Sequence, residues 1–160
     1  MPRYALSSYD DNLCLKPPLL LWVVALYLSR AITLPLAKGI GSVAGMNAAA
    51  ANVLQGLWSV ETLFPSLIAA AVLYAMCRRL PNASKPVRWV WAHGRVLLAL
   101  SALIDCTLLV IPAVRAGEMN DQTLPSLCAA GLDLYFLTYV LVDKRVRDAF
   151  ADFPLLLTSR

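Results

Sequence analysis

Four ionisable side chains stand inside otherwise apolar runs of the chain: Arg30, Glu61, Asp105 and Asp133. A charge held at the middle of a bilayer costs at least ~2.5–3.5 kcal/mol, so each such residue calls for a partner. One guanidinium neutralises one carboxylate, and two carboxylates beside it leave a proton to share. Arg30, Asp105 and Asp133 therefore admit two readings. In the first they form an ionic clamp that locks three helices in register. In the second they handle a proton or an ion. Tyr27 and Thr33 flank Arg30 at i−3 and i+3 and either extend hydrogen bonds along its face or simply pack.

Little else in the chain carries a chemical signature. There is no glycine-rich phosphate loop, no HExxH helix, no nucleophile elbow and no Cys/His ligand cluster. No catalytic, metal-binding or cofactor-binding residue is assigned, and no enzyme activity is expected. His93 stands alone beside Trp89 and Trp91 and reads as a boundary residue. Cys14, Cys77, Cys106 and Cys128 form no close pair, so neither a disulfide framework nor a zinc site follows.

The elements that must position the charges are legible from hydropathy. The chain is 59% hydrophobic and only 15% charged, well away from the balance of a soluble domain. The excess falls into four blocks, residues 18–37, 57–77, 92–114 and 124–142. Each is near the ~20 residues that cross ~30 Å of hydrocarbon as a helix. A soluble bundle would keep a polar stripe along each helix, and these blocks do not. The expectation is an all-α membrane protein, one domain over residues 1–160, with four transmembrane helices and a short amphipathic C-terminal tail over residues 143–160.

Charge distribution orients the blocks. Arg78, Arg79, Lys85, Arg88 and Arg95 flank the second connection, and Lys144, Arg145, Arg147 and Arg160 follow the fourth block. Arg3 and Lys16 precede the first block, whereas the first and third connections hold only Lys38 and Arg115. This alternation places both termini and the second loop in the cytoplasm. Because the basic residues follow loops rather than cluster on one face, the net charge of +4 does not point to nucleic acid. A cleavable signal peptide is not expected, since Asp10, Asp11 and Arg30 interrupt the pattern one would need. In this topology Arg30 lies ~18 Å, Asp105 ~16–20 Å and Asp133 ~14 Å above the inner boundary, close to one level. Glu61 is one turn from the outer boundary and can snorkel out.

Local signals refine this layout. Pro17 and Pro18 suit the first turn of the first helix. Pro35 should kink or end it, and Pro65 should bend the second. Met46–Leu54 reads as a short helix on the outer surface. Ala129, Ala130 and Gly131 beside Asp133, and Ser101 one turn from Asp105, permit close helix approach. In the tail, Val146, Phe150, Phe153 and Leu157 recur at helical spacing beside Lys144, Arg145 and Arg147, as in an amphipathic segment resting on the anionic inner leaflet. No internal repeat is present, which argues against an inverted-repeat transporter.

The run Leu15-Lys16-Pro17-Pro18-Leu19-Leu20-Leu21-Trp22, with Arg30 following, resembles the opening of the YfeZ-like family of small bacterial inner-membrane proteins of unknown function. The segment Arg145-Val146-Arg147-Asp148-Ala149-Phe150-Ala151-Asp152-Phe153-Pro154 is similar to that family's closing segment. The resemblance implies a four-helix fold, a bacterial inner-membrane location and no established activity. Since the loops are too short for a catalytic domain, the expected role is an accessory or scaffold subunit of an envelope complex. The alternative is a small oligomeric ion- or proton-coupled transporter. The expected partners are the lipid bilayer and other membrane subunits or further copies of the chain, with no nucleic acid and no cofactor.

Overall fold

Pro17 and Pro18 hold the backbone extended and set the start of the first helix just after them, at Leu19 rather than at the prolines themselves. In the computed structural model, residues 4, 8–10, 14–39, 61–116 and 123–154 are described. They form six helices: α1 (Leu19–Leu28), α2 (Arg30–Gly39), α3 (Leu63–Cys77), α4 (Lys85–Ala116), α5 (Thr123–Val142) and α6 (Lys144–Ala151). The expected surface helix Met46–Leu54, the start of the second block at 57–60 and Leu157 lie outside the described residues.

The first apolar block is broken, and the break falls at Ser29. The Ile32 and Thr33 N–H groups both donate to the Ser29 carbonyl. The Leu28 carbonyl, which Ile32 would serve in a continuous helix, instead accepts from Ser66 Oγ at 2.9 Å. A hydroxyl on α3 thus satisfies the carbonyl left over at the break. Pro35, expected to interrupt this region, sits inside α2, which continues to Gly39. Pro65, expected to bend the second helix in its middle, lies in the first turn of α3, where its missing N–H disrupts nothing.

The architecture is all-helical among the named elements, but the expectation of four spanning helices is only half met. Among the described residues two helices, α4 and α5, are long and apolar enough to cross a membrane. The shorter apolar helices α1 and α3 have 10 and 15 residues, or ~15 and ~22 Å at the helical rise, short of a ~30 Å core. The physical reasons are the break at Ser29 and the start of α3 at Leu63. The second loop is shorter than expected, because α4 begins at Lys85 and takes in Trp89, Trp91 and His93.

Helix α4 is the hub, packing against α3, α5, α1 and α6. The core collects Leu21, Val24 and Leu28 of α1, Val72 of α3, Trp91 and Leu98 of α4, and Phe136 of α5. On α1 the buried positions Leu21, Val24, Ala25 and Leu28 follow helical spacing, while Leu19, Val23 and Leu26 face outward. Outward-facing residues on the other long helices are also large and apolar, among them Phe64, Leu67, Val96, Leu103, Ile111, Leu127 and Leu134.

The tail does not rest its apolar face on lipid. Asp143 caps α6 by accepting from the Val146 N–H at 2.9 Å. Val146, Ala149 and Phe150 are buried within the protein, Phe150 against the Trp91 ring at 4.8 Å between centroids. Gly94 makes this docking possible, since a Cβ there would collide with the Phe150 ring. Lys144 and Arg147 point outward and Arg145 is half-buried. Close by, the N-terminal arm is pinned by Lys16 N–H to Ser8 O and Asp10 N–H to Cys14 O, both 2.8 Å.

Candidate functional site

The break at Ser29 makes Arg30 the first residue of α2, which packs on α3, and its side chain is buried. Arg30 Nη2 lies 2.7 Å from Asp105 Oδ2, with the two side chains only 9% and 3% exposed. The guanidinium also stands over the Tyr27 ring, one turn back, at 4.6 Å from its centroid. That stacking supplies an apolar, electron-rich face to a cation that has left water. Tyr27 is placed in turn by an edge-on contact with Phe136 of α5 and a long hydrogen bond from its hydroxyl to the Ala129 carbonyl.

Asp133 of α5 is fully buried, and its carboxyl feels the charges of both Asp105 and Arg30. Neither of its oxygens finds good hydrogen-bond geometry with a protein group, and the same is true of Arg30 Nε and Nη1. Two carboxylates therefore share the surroundings of one guanidinium, with spare hydrogen-bonding capacity on both sides. Around them the helix backbones are tied by buried hydroxyls: Ser66 to Leu28 O, as above, and Ser101 to Pro65 O at 2.8 Å. Glu61 is exposed and stands apart from this group. Among the described residues, no three His, Cys, Asp or Glu side chains come together as a metal-ligand set.

A second polar assembly sits at the end of the bundle where the arm and the tail meet. Arg79 is buried just past the end of α3. Its Nη1 donates to the Leu15 carbonyl and its Nη2 to the Asp152 carbonyl, both at 2.7 Å. The guanidinium lies over the Trp91 ring at 4.7 Å, and Trp91 Nε1 donates to the same Asp152 carbonyl at 3.1 Å. The Asp152 carboxylate accepts from the Leu15 N–H, and Asp148 accepts from the Tyr4 hydroxyl, each at 2.8 Å. One arginine thereby joins arm, tail and hub helix. Burial pulls the Arg79 guanidinium below its usual pKa, with the Cys14 and Asp152 charges opposing. Burial likewise pushes the Cys14 thiol up, and the Asp152 carboxylate adds to the rise.

Sequence reasoning counted Arg79 only as a loop charge and missed this role. Arg95 was likewise counted as loop charge, yet it donates to the Val140 and Leu141 carbonyls and so closes the C-terminal end of α5. Neither has a sequence signature, since the acceptors are backbone carbonyls.

Comparison with curated proteins and with solved structures gives no match. A family model described as "Protein of unknown function (DUF2919)" matches residues 4–152, a span holding Arg30, Asp105, Asp133 and the whole assembly from Tyr4 to Asp152. The chain belongs to the DUF2919 family.

Proposed function

We propose that this chain is a multi-pass protein of a bacterial inner membrane, of the YfeZ-like kind, with both termini in the cytoplasm. Its role is that of a non-enzymatic accessory or scaffold subunit. The observation that carries the reading is the Arg30–Asp105 pair, held at 2.7 Å at the joint of α2 and α4 with Asp133 of α5 beside it. A buried ion pair fixes helix register more than it adds stability. In a membrane, where apolar contact alone does not select one helix arrangement, such a pair is a means of specifying it.

The outward faces support the same reading. In the apolar windows of α4 and α5 only 28% of residues are buried, whereas the core helix of a soluble protein is mostly covered. Large apolar side chains facing outward on several helices at once call for lipid or a partner. In this reading α1 and α2 are two halves of one crossing, since together they run ~30 Å from Leu19 to Gly39 with only Ser29 between them. The rigid arm-and-tail assembly around Arg79 then lies at the inner face, and the exposed Lys144 and Arg147 meet anionic lipid.

Reporters fused after Arg160 and within residues 78–88 test the topology, and both should read as cytoplasmic. A periplasmic signal from either refutes it. For the scaffold role, purification in mild detergent should recover the chain with other membrane subunits at fixed stoichiometry. Recovery of a single copy alone refutes it.

One observation favours a second reading, a small proton- or ion-coupled transporter. The Asp133 oxygens and two Arg30 nitrogens keep unused hydrogen-bonding capacity in the bundle interior. Proteoliposomes holding the chain would then pass protons or ions down a gradient, and Asp133→Asn would abolish the flux without unfolding the protein. Absence of flux above empty vesicles rules this reading out.

A further inference from the structure

The connection between α3 and α4 is a tightly built turn that borders an open cavity of about 300 Å3. Arg88 fixes the turn by donating to the Ala83 carbonyl at 3.2 Å and to the Pro81 carbonyl at 2.6 Å. Backbone bonds from Leu80 N–H to Arg78 O and from Ala83 N–H to Leu80 O complete it. The cavity wall is therefore preorganised. It is lined by Tyr74, Arg78, Leu80, Asn82, Ser84 and Val87, and no acidic side chain takes part among the described residues.

The arginines near this turn differ in one respect. Arg79, Arg88 and Arg95 all spend their guanidinium donors on backbone carbonyls. Arg78 stands over the Tyr74 ring at 5.9 Å, and no hydrogen bond or ion pair of its guanidinium is found among the described residues. It brings an uncommitted planar cation to a cavity whose other polar side chains, the Asn82 amide and the Ser84 and Tyr74 hydroxyls, are neutral and can donate. Planar guanidinium against a tetrahedral oxyanion is the pairing this favours. Beside the polar wall, Tyr74 and Leu80 offer apolar surface that is 55% and 49% exposed.

We propose that this cavity binds a phosphate group, that of an anionic phospholipid of the inner leaflet, with Arg78 as the charged contact. Asn82 and Ser84 donate to the remaining phosphate oxygens, and Tyr74 and Leu80 cover the start of the acyl chains. The choice of a lipid over a free phosphate rests on the membrane reading above, because that reading puts the end of α3 at the inner boundary.

The test uses the full chain in mild detergent, with thermal stability and native mass spectrometry as readouts. Phosphatidylglycerol should raise the melting midpoint and remain bound, while diacylglycerol with the same chains should do neither. Arg78→Gln should weaken phosphatidylglycerol binding by about tenfold to a hundredfold, the loss of one or two charge-assisted hydrogen bonds. Asn82→Leu should weaken it less, and Arg115→Gln, exposed at the opposite end of α4, should leave it unchanged. Stabilisation by inorganic phosphate that Arg78→Gln removes supports the phosphate site and assigns it to a soluble ligand. Equal binding of diacylglycerol, or unchanged binding in both Arg78→Gln and Asn82→Leu, overturns the proposal. Alkaline extraction of native membranes tests the membrane reading separately. Release of the wild-type chain refutes that reading, and the inorganic-phosphate arm still decides the cavity.

Discussion

Replacing Arg30 with Leu removes the cation from a site where Asp105 and Asp133 stay behind. The Arg30 and Asp105 side chains are 9% and 3% exposed, so solvent does little to screen the loss. Breaking a buried pair by deleting one partner costs about 3–5 kcal/mol. Loss of the stacking over Tyr27 adds ~0.5–2 kcal/mol to that. At ~2–4 °C per kcal/mol for a chain of this size, the midpoint in detergent should fall by roughly 7–28 °C. The single variants should then rank in a definite order. Asp133→Leu should cost least, because the 2.7 Å pair survives it. Asp105→Leu should cost an intermediate amount, because the guanidinium keeps Asp133 within reach. The triple variant Arg30→Leu, Asp105→Leu, Asp133→Leu should recover most of the loss seen in Arg30→Leu, since removing every partner leaves no orphaned charge. Midpoints measured by scanning fluorimetry on all four variants decide the matter. If the triple variant is as unstable as the sum of the single losses, the three residues do not act together, and both the clamp and the proton-handling site fall.

Three further outcomes follow from other parts of the fold. Gly94→Ala should push the Phe150 ring off Trp91 and destabilise the chain by about 1–3 kcal/mol, an overpacking cost; Phe150→Leu in the same chain should restore part of it, and an additive loss would refute the contact. Arg79→Leu removes two charge-assisted hydrogen bonds worth ~1.5–3 kcal/mol each, so trypsin should cleave faster after Arg145 and Arg147 as the tail detaches; unchanged cleavage would show that the tail is held by other contacts. Cys14 should alkylate far more slowly than Cys77 at neutral pH, because Cys14 is buried with its thiol pushed up, which lowers its thiolate fraction, while Cys77 is exposed; peptide mapping after brief iodoacetamide treatment measures the ratio.

What could be read from the sequence divides along a physical line. Helix α5 was expected over residues 124–142 and spans Thr123–Val142, because a run of apolar residues closed by Asp143 fixes its own ends. The level shared by Arg30 and Asp105 was legible for a similar reason, since rise per residue is constant and charge in an apolar run stands out. Where structure depends on a group from a distant helix, local reading fails. The break at Ser29 depends on a hydroxyl at Ser66, and no pattern within 18–37 announces it. The tail's apolar stripe of Val146 and Phe150 was visible, but its cover was not, because what admits Phe150 is the missing side chain of Gly94.

Arg79 shows the same limit most sharply. Topology reasoning treats every loop cation alike, and by that measure Arg78 and Arg79 are interchangeable neighbours. The fold separates them. Arg79 is buried and engaged with two carbonyls from opposite ends of the chain, while Arg78 faces a cavity. A buried guanidinium keeps its charge and must spend its donors within the protein. An exposed one beside neutral donors keeps its donors for something else. Adjacent residues of one type thus take opposite roles, the first holding the arm and tail to the bundle and the second left open to an anion. The difference follows from where each falls past the end of α3, Arg78 at its C-cap and exposed, Arg79 one residue on and buried. Removing the two charges one at a time, by Arg79→Gln and Arg78→Gln, should therefore give opposite phenotypes: loss of tail docking with lipid binding retained in the first, and the reverse in the second.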